Sequence, residues 1–217
     1  MKNSMPQAPL GTLTRRGFLA ALGAMAPGLF AWPGLARAAS GRVGAALRFV
    51  RRTEWSGFQP NTRRLRESLN FTRLTVHHEG NAVNVETDEE SVRYHLNGIL
   101  EAHLERRFGD LAYHFVLDYA GRIWEGRSLL HQGAHVSGQN DDNIGVMLLG
   151  NFEKQDPSLE QIDALDKLVG ILCKQYGIPR DAVFGHCDIG ASACPGRRLY
   201  DPYVVALRAP GPRWAAR

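Results

Sequence analysis

The segment Gly185-His186-Cys187-Asp188-Ile189-Gly190-Ala191-Ser192-Ala193-Cys194-Pro195-Gly196 sets an imidazole and a thiol on either side of seven residues. Imidazole nitrogen and thiolate sulfur are both zinc donors. The apolar run Ala182-Val183-Phe184 leads into the segment and a Pro-Gly turn closes it. A strand end followed by a tight loop turns both side chains into one pocket. A third donor must come from elsewhere, and the best placed is His77, at the end of the apolar run Leu74-Thr75-Val76. His77, His186 and Cys194 with one position left open for water would be a catalytic zinc site, since structural sites close all four positions. The spacing alone decides little, because a buried Cys is equally a small apolar filler.

The elements that must position these residues are legible as alternating strands and helices. Strand-like runs cover Ala46–Val50, Arg73–His77, Tyr113–Asp118, Arg122–Trp124, Ile144–Leu149 and Ala182–Phe184. Asp118-Tyr119-Ala120-Gly121 joins two of them as a hairpin. One helix opens at Thr87-Asp88-Glu89-Glu90, read as a capping box with Thr87 as the cap, and turns Val92, Leu96, Ile99 and His103 to one face. A second opens at Ser158-Leu159-Glu160-Gln161 and carries Ile162, Leu165, Val169, Leu172 and Tyr176, with Cys173 beside them. Gly177 ends it and Pro179 prevents its resumption. A weaker helix covers Pro202–Arg208. The expected fold is a single α/β domain, a mixed central sheet flanked by helices. His95 and His103 on the first helix read as core or edge histidines bonded to backbone. Helical metal pairs more often sit four apart with a carboxylate between.

The first residues read differently. Thr14-Arg15-Arg16-Gly17-Phe18-Leu19 is a twin-arginine pattern, followed by a short apolar run broken by Pro27 and Pro33 and by the small-x-small site Ala36-Arg37-Ala38. The expectation is a removable export signal over 1–38, the domain over 39–217, the twin-arginine machinery as a partner, no membrane anchor after cleavage, and a periplasmic or otherwise exported product. Residues 1–38 hold four of the 26 basic residues and none of the 22 acidic ones, so the remainder balances 22 against 22. The full chain's basic balance therefore indicates no nucleic-acid partner. Of the three cysteines, Cys173 and Cys187 are left over once Cys194 is a ligand; they either pair or stay free thiols.

Taken together and in order, the motifs resemble those of peptidoglycan recognition proteins and the phage lysozyme-like, zinc-dependent N-acetylmuramoyl-L-alanine amidases, most strongly over 49–200. They are Arg52-Thr53-Glu54-Trp55, Leu74-Thr75-Val76-His77-His78, Tyr113-His114-Phe115-Val116, the hairpin Asp118 through Gly121-Arg122-Ile123-Trp124-Glu125-Gly126-Arg127, Gly133-Ala134-His135, Asn143-Ile144-Gly145-Val146 through Gly150-Asn151-Phe152, and Gly185 to Tyr200. The resemblance implies a peptidoglycan-recognition-protein-like fold and hydrolysis of the bond between N-acetylmuramic acid and L-alanine in peptidoglycan or muropeptides. It implies Zn2+ on His77, His186 and Cys194. His77 rather than His78 matches the first ligand position, and strand neighbours face opposite ways. Tyr113 matches a tyrosine that assists the oxyanion. Ser192 stands where many members carry Lys or Thr, and brings a hydrogen bond without charge. Cys187 replaces an Arg common in the family.

Two more residues are candidate substrate contacts. Glu79 sits two residues after His77, either as a proton shuttle on the same strand face or as a solvated loop carboxylate. His135 either lines the groove or is a satisfied loop histidine. Rival readings are a zinc-free peptidoglycan-binding module, an exported amidase toxin and a muropeptide-recycling amidase.

Overall fold

The computed structural model describes residues 46–68 and 70–209. The expected export signal over 1–38 lies outside the described residues. Among these residues no helix is long and apolar enough to cross a membrane.

Among the described residues six strands form one sheet: β1 (Phe49–Val50), β2 (Arg73–His78), β3 (Phe115–Leu117), β4 (Ile123–Glu125), β5 (Asn143–Leu148) and β6 (Val183–Gly185). Their order is β1-β4-β3-β5-β2-β6. Only β3 and β4 pair antiparallel; the other four pairings are parallel. The sheet is therefore mixed, as the alternation of strands and helices predicts. Every residue of β5 is buried, as expected for a parallel strand covered on both faces.

The hairpin forms where Asp118-Tyr119-Ala120-Gly121 predicts it. Gly121 has φ +77°, and a Cβ there would lie 2.6 Å from the Glu160 carbonyl oxygen, so both conformation and space require glycine. The first strand is shorter than the expected Ala46–Val50, because only Phe49 and Val50 find partners in β4.

Helix α1 (Arg52–Trp55) precedes the long α2 (Glu89–Glu105), and α3 (Leu159–Tyr176) follows β5. The cap of α2 is Asp88, not Thr87: the Asp88 carboxylate accepts the Ser91 N–H at 2.8 Å. The Thr87 carbonyl is taken instead by Arg122. At α3 the expected box is present, with Ser158 and Gln161 exchanging bonds, and Gly177 closes the helix at φ +68°. The expected helix over Pro202–Arg208 is split into a π-turn, Tyr200–Val204, and a short α-turn, Val205–Leu207.

Register fixes which side chains share a face. Thr75 lies beside Gly145, and His77 beside Met147, which lies beside Val116 and so on to Trp124. That face meets α2: Val92, Leu96 and Leu100 pack with Val116, Trp124, Met147 and Trp55 in one apolar cluster. His77 ends the row at the open edge of this cluster. Leu74 and Val76 of β2 are themselves fully buried, and burial of side chains of this size contributes roughly 1.5–3 kcal/mol each, so the strand that carries His77 is firmly held.

Candidate metal centre

Three donors from distant parts of the chain converge on the α2 face of the sheet. His77, His186 and Cys194 offer ligand atoms that all lie within 4.8 Å of one another. His77 Nδ1 is 3.5 Å from Cys194 Sγ, and the His77 and His186 rings are 4.8 Å apart. His77 comes from β2. His186 is the first residue of α4 (His186–Ile189), directly after β6. β6 pairs with β2, Val76 beside Gly185, so strand pairing alone brings the next residue of each strand to one end of the sheet.

The loop from His186 to Gly196 is held in shape by its own polar groups. The Asp188 carboxylate accepts the Gly185 N–H at 2.7 Å and binds the Tyr200 hydroxyl and Arg208. Cys187 N–H donates to the Cys194 carbonyl at 2.8 Å. Ser192 Oγ accepts the Cys194 N–H at 3.1 Å, so that hydroxyl shapes the loop and keeps its own proton to donate. At Gly185 a Cβ would meet the Tyr200 ring at 2.7 Å, which explains the glycine before the histidine.

His135 settles the protonation of His77. Its Nε2 faces the Asn143 carbonyl at 3.2 Å, and a carbonyl only accepts, so Nε2 carries the proton. Burial, with the neighbouring His114, holds His135 down at about 3, so the ring is neutral and its Nδ1 is bare. That nitrogen lies 3.0 Å from His77 Nε2, which must therefore donate. His77 Nδ1 is then left with a free lone pair pointing toward the Cys194 sulfur. A metal-binding imidazole is oriented in this way when its second nitrogen donates to a fixed acceptor. The space for His135 is made by absent side chains: a Cβ on Gly133 or Gly145 would lie 2.4 or 2.5 Å from its Cδ2. His135 is thus buried against His77. A glycine inside the β-run Ile144-Gly145-Val146 was the sequence signal for this close approach.

The electrostatics suit a cation. Burial lowers the His77 imidazole well below its ordinary range, with His135, His186 and His78 adding to the effect, and burial also lowers His186. Both rings are neutral donors at neutral pH. Burial pushes the Cys194 thiol up to about 12, opposed by the His78 N–H that donates to its sulfur at 3.3 Å. Without a cation the sulfur keeps its proton, so metal uptake would release one. Donors at zinc's ordinary bond lengths subtend a nitrogen–sulfur separation of about 3.6 Å in a tetrahedron. The observed 3.5 Å therefore fits zinc. No fourth donor joins the group among the described residues.

The remaining candidates fall around this cluster. His78 points away: its Nδ1 accepts the Phe152 N–H at 3.2 Å. The Tyr113 ring lies 5.1 Å from His77 and stacks on His135 at 6.1 Å. Burial, then the Cys194 sulfur, raise its phenol, so it remains an O–H donor. Glu79 is not a solvated loop carboxylate: its side chain is 7 % exposed and bonds His95 Nε2 at 3.0 Å. Its other oxygen is buried without a partner. His95 therefore bonds a carboxylate where backbone was expected, whereas His103 accepts the Ala112 N–H as a core histidine. All three cysteines are free thiols.

Comparison with known proteins adds a family. A family model described as N-acetylmuramoyl-L-alanine amidase matches residues 67–197. Peptidoglycan-recognition protein SD of Drosophila simulans is 29% identical over 168 residues, covering 76% of this chain and 87% of that protein. The crystal structure of the Drosophila peptidoglycan recognition protein SD is similar with a TM-score of 0.66 at 26% identity, over 76% of this chain and 95% of that one. The N-acetylmuramoyl-L-alanine amidase LysC from Clostridium intestinale URNW is similar with a TM-score of 0.58 at 25% identity, over 70% and 90% of the two chains.

Proposed function

Because this chain belongs to the N-acetylmuramoyl-L-alanine amidase family, we propose that it hydrolyses the amide joining N-acetylmuramic acid to L-alanine in peptidoglycan, with zinc on His77, His186 and Cys194. The observation that carries this reading is the convergence of two neutral imidazoles and a thiol with one of the imidazoles already oriented by His135. Zinc in such a set acts as a Lewis acid that polarises an amide carbonyl and makes water a competent nucleophile near neutral pH.

The chain's own residues supply the rest. His135 holds His77 in one tautomer and one orientation. Tyr113, kept protonated by burial, donates its O–H to the carbonyl oxygen as negative charge develops there. Glu79, two residues after His77 and bonded to His95, would act as the carboxylate that takes a proton from the attacking water and returns it to the leaving amine. Ser192 fixes the Cys194 amide and contributes no charge. The apolar cluster under His77 excludes water from the inner side of the site. Export through the twin-arginine route, with action outside the cytoplasm, is the matching reading of Thr14–Leu19 and Ala36–Ala38.

The test is product identification. Purified protein is incubated with a muropeptide of defined stem peptide, with and without a zinc chelator, and the products are weighed by mass spectrometry. Release of the free stem peptide beginning at L-alanine, abolished by chelation and restored by zinc, is expected. Muropeptide that binds and stays intact at full zinc occupancy would make the protein a recognition module instead.

A further inference from the structure

The hydrolysis proposed above gives Glu79 a proton to carry, and β2 fixes only the backbone of the residue that must carry it. The Glu79 N–H donates to the Leu148 carbonyl at 3.0 Å and the Gly80 N–H to the Gly150 carbonyl at 3.1 Å. The side chain beyond keeps rotatable bonds of its own, and their entropy opposes any single placement. One group stands against that freedom. His95 Nε2 lies 3.0 Å from Glu79 Oε1, and a carboxylate only accepts, so the imidazole donates. His95 is carried by α2, which Val92, Leu96 and Leu100 lock to the sheet. Glu79 therefore turns to the α2 side, where His77 also lies, while His78 between them turns to the Phe152 N–H. Glu79 Oε2 has a different setting. It is buried and has no hydrogen-bond partner among the described residues, on a side chain only 7 % exposed. A buried carboxylate oxygen without a donor is costly, and native proteins keep few of them. An acceptor kept bare in this way suits a donor that arrives from outside.

We infer that His95 is a positioning residue for the hydrolysis: it holds Glu79 by one oxygen and leaves the other to accept a hydrogen bond from the attacking water. This role rests on the amidase reading and on Glu79 being the carboxylate that serves it. The two oxygens then take different parts. Oε1 is tied to a helix that the apolar cluster fixes against the sheet. Oε2 keeps an accepting capacity that the surrounding protein does not fill. Among the described residues no hydrogen bond joins His95 to His77, His186 or Cys194, so its loss should leave the metal in place. With 39 % of its side chain exposed, His95 can be replaced without opening the core. A reacting group misplaced by about 1 Å loses on the order of 10²-fold in rate. The effect therefore belongs in kcat, not in zinc content or substrate affinity.

The test is a double-mutant cycle on zinc-loaded protein, with a muropeptide of defined stem peptide as substrate. Stem-peptide release is followed by mass spectrometry over incubations long enough to time the slowest variant. His95→Ala should lower kcat about 10–100-fold, with KM and zinc stoichiometry within about twofold of the parent. His95→Gln restores an N–H donor and should recover most of the loss. In a Glu79→Gln background the carboxylate is already gone, and His95→Ala should cost less than about threefold more. That coupling separates the positioning of Glu79 from general support of the fold, which would weaken both backgrounds alike. The inference is overturned if His95→Ala lowers kcat by the same factor in both backgrounds, or if it removes zinc. Unchanged kcat in either Glu79→Gln or His95→Ala would overturn it too. So would a rise in KM alone, which would make His95 a substrate contact. A zinc-loaded parent that releases no stem peptide overturns the amidase reading and the positioning role together. A parent that cleaves, with residues 79 and 95 uncoupled, overturns only the positioning role.

Discussion

Two buried polar networks lie on the same sheet, and they end differently. Around the hairpin, Asp118 is fully buried; its Oδ1 accepts the Arg122 N–H at 2.9 Å and its Oδ2 the Trp124 indole N–H at 2.7 Å. The Arg122 guanidinium pairs with the same carboxylate and donates to the Thr87 carbonyl at 2.7 Å. The network is closed by side chains and backbone of the chain itself. Around β2 a chain of bonds runs from the Asn143 carbonyl through His135 to His77 and stops at a bare nitrogen beside a thiol. Nothing but the Cys194 proton completes it, and a cation can replace that proton. The difference separates a polar group that holds a fold from one that awaits a ligand, although both are equally buried.

Substitutions at the two ends should separate stability from metal binding. Asp118→Asn leaves the buried Arg122 only the Glu89 carboxylate 3.7 Å away and should cost about 3 kcal/mol in urea unfolding. Zinc stoichiometry of the fraction that stays folded should not change. Cys194→Ser should do the reverse, with zinc content and amide cleavage lost and metal-free stability within about 1 kcal/mol of the parent. If both substitutions damaged both properties alike, the two networks would not be distinct. Tyr113→Phe sharpens the contrast inside the open network. It should retain zinc yet lower turnover about 10²–10³-fold, the usual effect of losing one oxyanion donor. Unchanged turnover would remove Tyr113 from the reaction.

A smaller effect is expected one shell further out. His135→Phe keeps an aromatic ring, somewhat larger, and removes the acceptor for His77 Nε2, so zinc affinity, read by competition with a chromogenic chelator, should fall about 10–100-fold. A separate effect is a pH dependence of the metal-free fold. Burial lowers both His103 and His114 to about 4. Unfolded, each titrates near its ordinary value, so below about pH 6.5 the unfolded chain binds protons the folded one refuses. Their contribution is complete above that value and is lost as pH falls toward 4. Unfolding free energies from urea titrations at pH 7 and pH 5 should differ by roughly 1–2 kcal/mol per histidine.

The parts of this picture legible in the sequence are those written locally. The Asp118–Gly121 turn, the Ser158 cap and the Gly177 stop each depend on residues within one turn of chain, and each forms where expected. The Thr87 cap missed by one residue because Asp88 is the stronger acceptor beside it and Arg122 claims the Thr87 carbonyl from 35 residues away. His135 and Glu79 were left ambiguous for the same physical reason. The contact that fixes His135 spans 58 residues and the one that fixes Glu79 spans 16, and neither periodicity nor spacing carries information at that range. Strand alternation, a local rule, says that only one of His77 and His78 enters the site, and the resemblance to the family's first ligand position picks His77; the two side chains do part to different surroundings.

The central claim is that His77, His186 and Cys194 hold one zinc with a position left open. Zinc-edge X-ray absorption on the purified protein tests it directly. The account predicts one zinc per chain with two nitrogen scatterers at about 2.0–2.1 Å, one sulfur at about 2.3 Å and a further light atom completing the shell. A protein without zinc, or a zinc shell that contains no sulfur, would contradict it.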